Sequence, residues 1–242
     1  MLSCTTHKNA RNPVPFRQSS AAIEQNQTTS PSAPKATPNR PRPVAEHPVV
    51  ARDAPLTADA GRFAAILGAR IQSPRVVSLP ISGGLRRVPV LLRTETAWPR
   101  EKEIPAWFGT VPNKVPIAFQ DDLVYPELIL VRLLTAAGWK AAWVKNWGGR
   151  AFWSDVGVVQ DLTPEALRAF EDTETIVRQH SERSGGAWDI FAWKDKEFAL
   201  IELKKRTGPS REPFKPNQLY WLDAALNKIP SASLFVVEYE VP

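Results

Sequence analysis

Three residues in the last quarter of the chain have types and spacing suited to work on a phosphate ester: Asp189, Glu202 and Lys204. They sit in two runs rich in aliphatic and aromatic residues, 188–193 and 198–206, which flank the polar stretch Lys194-Asp195-Lys196-Glu197. That pattern predicts a β-hairpin. If the loop is Asp195-Lys196, Lys194 faces Glu197 and Asp189 faces Glu202. Directly opposed residues share a face with side chains roughly 5 Å apart, and like charges there repel unless something compensates. Alternation along the strand puts Lys204 on the same face, about 7 Å beyond Glu202, while Leu203 points away. The strand pattern also fits a plainer arrangement, a Glu202–Lys204 salt bridge with Asp189 as a turn residue. A loop of odd length would move Asp189 to the other face.

The chemistry that uses such a set is phosphodiester hydrolysis. It needs a hard cation to offset charge developing on the phosphate and to lower the pKa of a bound water, and Mg²⁺ takes oxygen ligands while keeping several waters. Two carboxylates meet that need. A lysine beside them is a compact point charge able to hold hydroxide or stabilise the crowded phosphate, and it can neutralise Glu202 as well.

Around the hairpin the sequence supplies elements to position it. Pro126 fits the first turn of a helix, residues 128–137 are apolar almost all round, and Gly138 is a stop, with Glu127 in the first turn. There Glu127 either complements the helix dipole or reaches a metal. Residues 139–145 read as a strand and 146–149 as a turn. Thr163-Pro164-Glu165 is a helix start, with the helix running to about residue 180, and Gly185-Gly186 breaks the pattern before the hairpin. Pro216 opens a helix through about residue 228, and 234–239 is a final strand. Gln218 lies beside Trp221, Leu222 and Ala225 on that helix, either against the site or bordering the core. Both hairpin faces are apolar, as in a sheet covered by helices on each side, so the fold class is α/β with a mixed sheet.

Asp189, followed by a hairpin to Ile201-Glu202-Leu203-Lys204, resembles the signature of the PD-(D/E)XK nuclease superfamily, and the surrounding sequence is most similar to its VRR-NUC branch. The resemblance covers about residues 121–239. It implies a three-layer αβα restriction-endonuclease-like core with a central mixed sheet. It also implies hydrolysis of nucleic acid, DNA foremost, with Mg²⁺ as the metal and Mn²⁺ as a substitute. On the same resemblance Asp189 and Glu202 ligate the metal, Glu127 assists the metal or the water, and Lys204 orients the attacking water. Gln218 with Trp221 matches the glutamine and aromatic residue found on the helix after the Glu-x-Lys strand. One departure is Trp188, where the family pattern prefers proline at the start of the strand. A catalytically inactive nucleic-acid-binding or scaffolding module with the same fold is the alternative expectation.

The 242 residues carry a net charge of +6. Residues 1–56 alone contribute +4 of this, from seven Lys or Arg against three Asp or Glu. They are rich in Pro, Ser, Thr, Asn and Gln, the composition of a disordered basic tail. The local density that would attract a phosphate backbone is Lys205, Arg206, Arg211 and Lys215, candidate contacts that hold without reading bases. Residues 57–120 read as a small accessory region, with a helix near 62–70, short β runs at 75–79 and 88–92, and then a proline-punctuated loop. Residues 121–242 form the nuclease-like domain. A single cysteine, Cys4, excludes an intrachain disulfide, and three scattered histidines argue against zinc. No apolar run reaches spanning length and no secretory pattern opens the chain, so the expected address is cytoplasmic, without a membrane. No glycine-rich phosphate loop with a lysine is present, which argues against an intrinsic ATPase.

Overall fold

The computed structural model describes residues 56–110, 114–145, 151–180, 185–207 and 210–242. The expected basic tail up to residue 55 and the expected turn at 146–149 lie outside them. The chain runs α1 (Leu56–Ile66), β1 (Arg70–Ile81), β2 (Gly84–Thr94), β3 (Thr96–Ala97), a 3₁₀ turn (Ala106–Thr110), β4 (Ile117–Phe119) and β5 (Asp122–Val124). It continues through α2 (Pro126–Ala136), β6 (Lys140–Lys145), β7 (Ala151–Asp155), β8 (Val158–Val159) and α3 (Pro164–His180). The last part holds β9 (Ile190–Lys194), β10 (Glu197–Thr207), β11 (Ser210–Arg211), α4 (Pro216–Lys228) and β12 (Ser233–Glu240).

One large mixed sheet organises these elements, in the order β1-β2-β12-β10-β9-β6-β7-β8, with β11 paired to the end of β10. β10 pairs with β12 and β12 with β2 in parallel, and the other neighbours are antiparallel. Parallel neighbours need a crossover, and α4 supplies the one between β10 and β12. The alternating residues of the central strands feed two separate cores. Ile190, Ala192, Ile201, Leu203, Phe235 and Val237 pack with α1 and α2, around Phe63, Leu67, Leu128 and Leu134. Phe191, Trp193, Leu200 and Val236 pack with α3 and α4, around Phe170, Val177, Trp221 and Leu222. Both faces of the hairpin are therefore dry, in line with its two-sided apolar pattern.

The boundary expected at residue 120 does not divide the sheet. β2, from the expected accessory region, lies directly against β12, with Val236 opposite Val90 and Glu238 opposite Leu92. The two β runs at 75–79 and 88–92 lie within longer strands, with Val77, Leu79 and the whole of 88–92 buried. Their flanks read as loop because Pro74, Pro80 and Gly84 interrupt the apolar pattern. The helix expected near 62–70 ends earlier. Gly68 adopts φ +56°, and the amide of Ala69 folds back onto the Ala64 carbonyl at 2.8 Å, which frees Arg70 to begin β1. Beside this sheet a second one, β3-β4-β5, turns at Gln120 and Asp121, both at positive φ, and leads into α2. Among the described residues no helix is long and apolar enough to cross a membrane.

Candidate active site

The hairpin register matches the two-residue loop. Glu197 pairs with Lys194, Leu200 with Phe191, and Ile201 with Ile190. Asp195 takes φ +51° to close the turn, a conformation that a short polar side chain tolerates better than most. One step beyond the last paired residues stand Asp189 and Glu202. The ladder opens there. The Asp189 carbonyl accepts from the Val144 amide of β6 at 2.8 Å, and Asp189 Oδ2 accepts from the Leu203 amide at 2.9 Å. The aspartate is thus tied across the hairpin by its side chain, not by main-chain pairing.

Glu202 and Lys204 lie on the face of the sheet covered by α4, and each is only 1% exposed. Lys204 Nζ lies 3.0 Å from Glu202 Oε1, donates to Gln218 Oε1 at 3.0 Å and to the Pro213 carbonyl at 3.3 Å, and sits over the Phe214 ring. Gln218 is the hub of this corner. Its Nε2 donates to Glu202 Oε1, and its Oε1 also accepts from the Lys215 amide at 3.0 Å, fixing the start of α4. Pro216 at the first helical position presets that start, so local helix chemistry and site geometry share one side chain.

Glu127 enters from the other face, in the first turn of α2. It is 1% exposed, and its Oε1 pairs with the Lys114 ammonium from the loop before β4. Lys114 also lies over the Trp143 ring at 5.5 Å. The second carboxylate oxygens, Glu127 Oε2 and Glu202 Oε2, are buried without a hydrogen-bond partner. Such orphaned acceptors are costly, and natural structures contain few of them.

The electrostatics follow. Burial, then the Glu127 charge, pushes Asp189 up to about 6, against the partial offset of Lys114, the Leu203 amide and Lys204. Burial and Asp189 push Glu202 well above the usual carboxylate range, although Lys204 and the Asp189 amide oppose the shift. Burial works against charge on Lys114, but Glu127 and Asp189 together outweigh it and hold the ammonium protonated. Burial and Glu127 raise the Tyr239 phenol beside them. Three carboxylates therefore face two ammonium groups, and full ionisation of all three would place more buried negative charge here than the two lysines neutralise.

Of the residues expected from sequence, Asp189, Glu202, Lys204 and Gln218 are joined through the hairpin and α4. Glu127 joins them electrostatically through Asp189. Among the described residues no group of three or more His, Cys, Asp or Glu is placed to form a metal cage by itself. Mg²⁺ does not require one, since one or two carboxylates plus waters and a substrate phosphate suffice. Lys205 and Lys215 are exposed and Arg206 is half-buried, all close in sequence to the Lys204 end of the site. The backbone of Arg211 pairs with that of Arg206, but its side chain lies outside the described residues. Trp153 and Phe152, aromatic residues whose sequence fits either base stacking or core packing, pack edge-on against Trp143 and Phe170. Trp147 lies outside the described residues. Lys114, Tyr239 and Glu238 were not singled out by the sequence. Glu238, the β12 neighbour of Lys204, is buried, and the Glu-Tyr-Glu alternation inside an apolar strand was the available signal. Nothing local marks Lys114, which reaches Glu127 only because the β4–β5 turn brings its loop back to α2.

Gly186 sets how closely the segment leading to Asp189 approaches α4. It has φ +93°, and a β-carbon there would collide with the Asn217 carbonyl in the first turn of α4. Gly186→Ala is expected to lose about 2–3 kcal/mol in urea denaturation. A loss under about 0.5 kcal/mol, the range of neutral surface changes, would show that the approach is slack. Compared with family models, curated proteins and solved structures, the chain matches none of them.

Proposed function

We propose that this protein is a metal-dependent nuclease that hydrolyses phosphodiester bonds of nucleic acid, DNA foremost, with Mg²⁺ or Mn²⁺ at the carboxylate cluster. The observation that carries the reading is the pair of buried, partnerless oxygens, Glu127 Oε2 and Glu202 Oε2, flanking an aspartate already pushed up to about 6. Buried carboxylates in excess of their lysines are what a divalent cation relieves. Asp189 and Glu202 hold the ion and Glu127 supports it or a water. Bound Mg²⁺ supplies charge neutralisation at the phosphate and a water of lowered pKa.

The other roles belong to the chain's own groups. Lys204, locked by Glu202, Gln218 and the Pro213 carbonyl, presents a fixed positive charge with no rotamer left to freeze, which suits orientation of the attacking water. Gln218 keeps Glu202 Oε1 and Lys204 in register. Exposed Lys205 and Lys215, with Arg206 and Arg211, contribute phosphate contacts. The helix order, the hairpin bearing Asp189 and Glu202, and the apolar cores on both sheet faces support a three-layer αβα restriction-endonuclease-like core. A cytoplasmic address fits a nuclease of this kind.

The test is cleavage of supercoiled, linear, single-stranded and branched DNA, with RNA alongside, in Mg²⁺, Mn²⁺ and chelator. Metal-stimulated cleavage of any of these supports the reading. Binding of DNA with neither cleavage nor a metal-dependent rise in melting temperature would overturn it, in favour of a binding module with the same fold.

A further inference from the structure

Lys114 has a role that deepens the metal-site reading above and rests on it. Lys114 is the one described cation that pairs with Glu127, and it approaches from the opposite side of the sheet to Lys204. The two lysines are held very differently. Lys204 has Glu202, Gln218 and the Pro213 carbonyl around it at 1% exposure, and its strand backbone is paired with Glu238 of β12. The Lys114 side chain is 23% exposed, belongs to no helix or strand, and rests on the Glu127 carboxylate and the Trp143 ring. An ammonium on a loop, held by one carboxylate oxygen and a ring face, exchanges partners readily, whereas one with three oxygen neighbours in a buried strand does not.

We propose that Lys114 is an exchangeable counter-cation of the carboxylate cluster. It neutralises Glu127 when no divalent ion is bound, yields the carboxylate when one is, and then turns its charge to the phosphate of the incoming nucleic acid. Cations at the cluster compete for its charge. Glu127, Asp189 and Glu202 together attract a cation, and each positive charge already placed among them lowers what the next one gains. Lys114 is therefore the internal competitor whose removal leaves Glu127 buried and uncompensated, so that a divalent ion gains more on binding. Lys204 belongs to the frame of the site and does not leave.

The test is calorimetric titration of Mn²⁺ into the full chain at pH 8 without nucleic acid, for wild type, Lys114→Gln, Lys114→Arg and Asp189→Asn. Lys114→Gln is expected to bind Mn²⁺ on the order of tenfold more tightly, equivalent to about 1.4 kcal/mol, and Lys114→Arg within about twofold of wild type. With DNA, Lys114→Gln is expected to raise KM more than it lowers kcat, because the freed ammonium acts in binding the phosphate. Unchanged or weaker Mn²⁺ binding by Lys114→Gln, with wild type binding normally and Asp189→Asn not binding, overturns the role of Lys114 and leaves the metal site standing. Absence of Mn²⁺ binding in wild type and in Lys114→Gln alike overturns both. If Lys114→Gln is too unstable to titrate, the double variant Lys114→Gln/Glu127→Gln restores charge balance. Its Mn²⁺ affinity below that of wild type supports the exchange, and an affinity equal to wild type refutes it.

Discussion

Asp189→Asn is expected to melt higher than the wild-type protein at pH 8 in the absence of divalent ions, and to cleave nucleic acid at least about a thousandfold more slowly in their presence. The two effects have one cause. The carboxyl is pushed up to about 6 from an ordinary 3.8, chiefly by burial and by Glu127, so the folded protein favours its protonated form. Its contribution to stability is fully present below about pH 4 and is lost as pH rises through 6. Above that, the ionised aspartate is a liability that asparagine removes, while the amide oxygen still accepts from Leu203. Screening at this half-buried group keeps the gain on the order of 1–2 kcal/mol, or about 2–8 °C in Tm. Below about pH 4 the two proteins should melt together. Added Mn²⁺ should invert the order at pH 8, because the wild type gains stabilisation by ligand binding and the variant does not. Scanning calorimetry with and without Mn²⁺, at pH 4 and 8, reads all four values. An asparagine variant that melts lower than wild type without metal would remove the excess-charge argument.

The second large effect is at Lys204. Lys204→Ala leaves Glu202 buried without its counter-charge, a change that costs about 3–5 kcal/mol for pairs of this kind. For a chain of this size the cost corresponds to about 6–20 °C in Tm. Because the loss is one of compensation, replacing both partners by neutral groups of similar shape, as in Glu202→Gln/Lys204→Met, should recover most of it. Cleavage should fall by about a hundredfold or more in both proteins and should not return in the double variant. Recovered activity would assign the pair to architecture alone, and unrecovered stability would mean that Gln218 and Phe214 need the charges themselves.

The readable part of the site was its hairpin. Alternation in 198–206 and a two-residue polar loop fix which residues face each other, and Asp195 at positive φ completes that loop without glycine. The helix face left Gln218 either against the site or bordering the core, and only the resemblance, through a glutamine and an aromatic residue on the helix after the Glu-x-Lys strand, pointed it to the site. The opening of the ladder at Asp189 was not legible. It depends on a bond from the Val144 amide, and nothing near Asp189 in the sequence announces β6 as its neighbour. Lys114 was invisible for the same kind of reason, a long-range closure through a separate sheet. That the sheet runs across residue 120 was not legible because β1 and β2 are interrupted by prolines and glycine, while β12, the partner of β2, lies at the far end of the chain.

The position of β2 has a consequence for modularity. Its ladder with β12 seals the edge beside the strand that carries Glu202 and Lys204, so the half bearing the acids is not a self-sufficient cassette. Cut at residue 120, it would present the hydrogen-bonding edge of β12 to water and strip Phe63 of α1 and Leu67 just after it from the core they share with Phe235. Recombination that exchanged the leading segment among unrelated proteins would have to supply a strand of the same polarity and register. Inheritance of this candidate site is therefore bound to inheritance of the hairpin formed by β1 and β2.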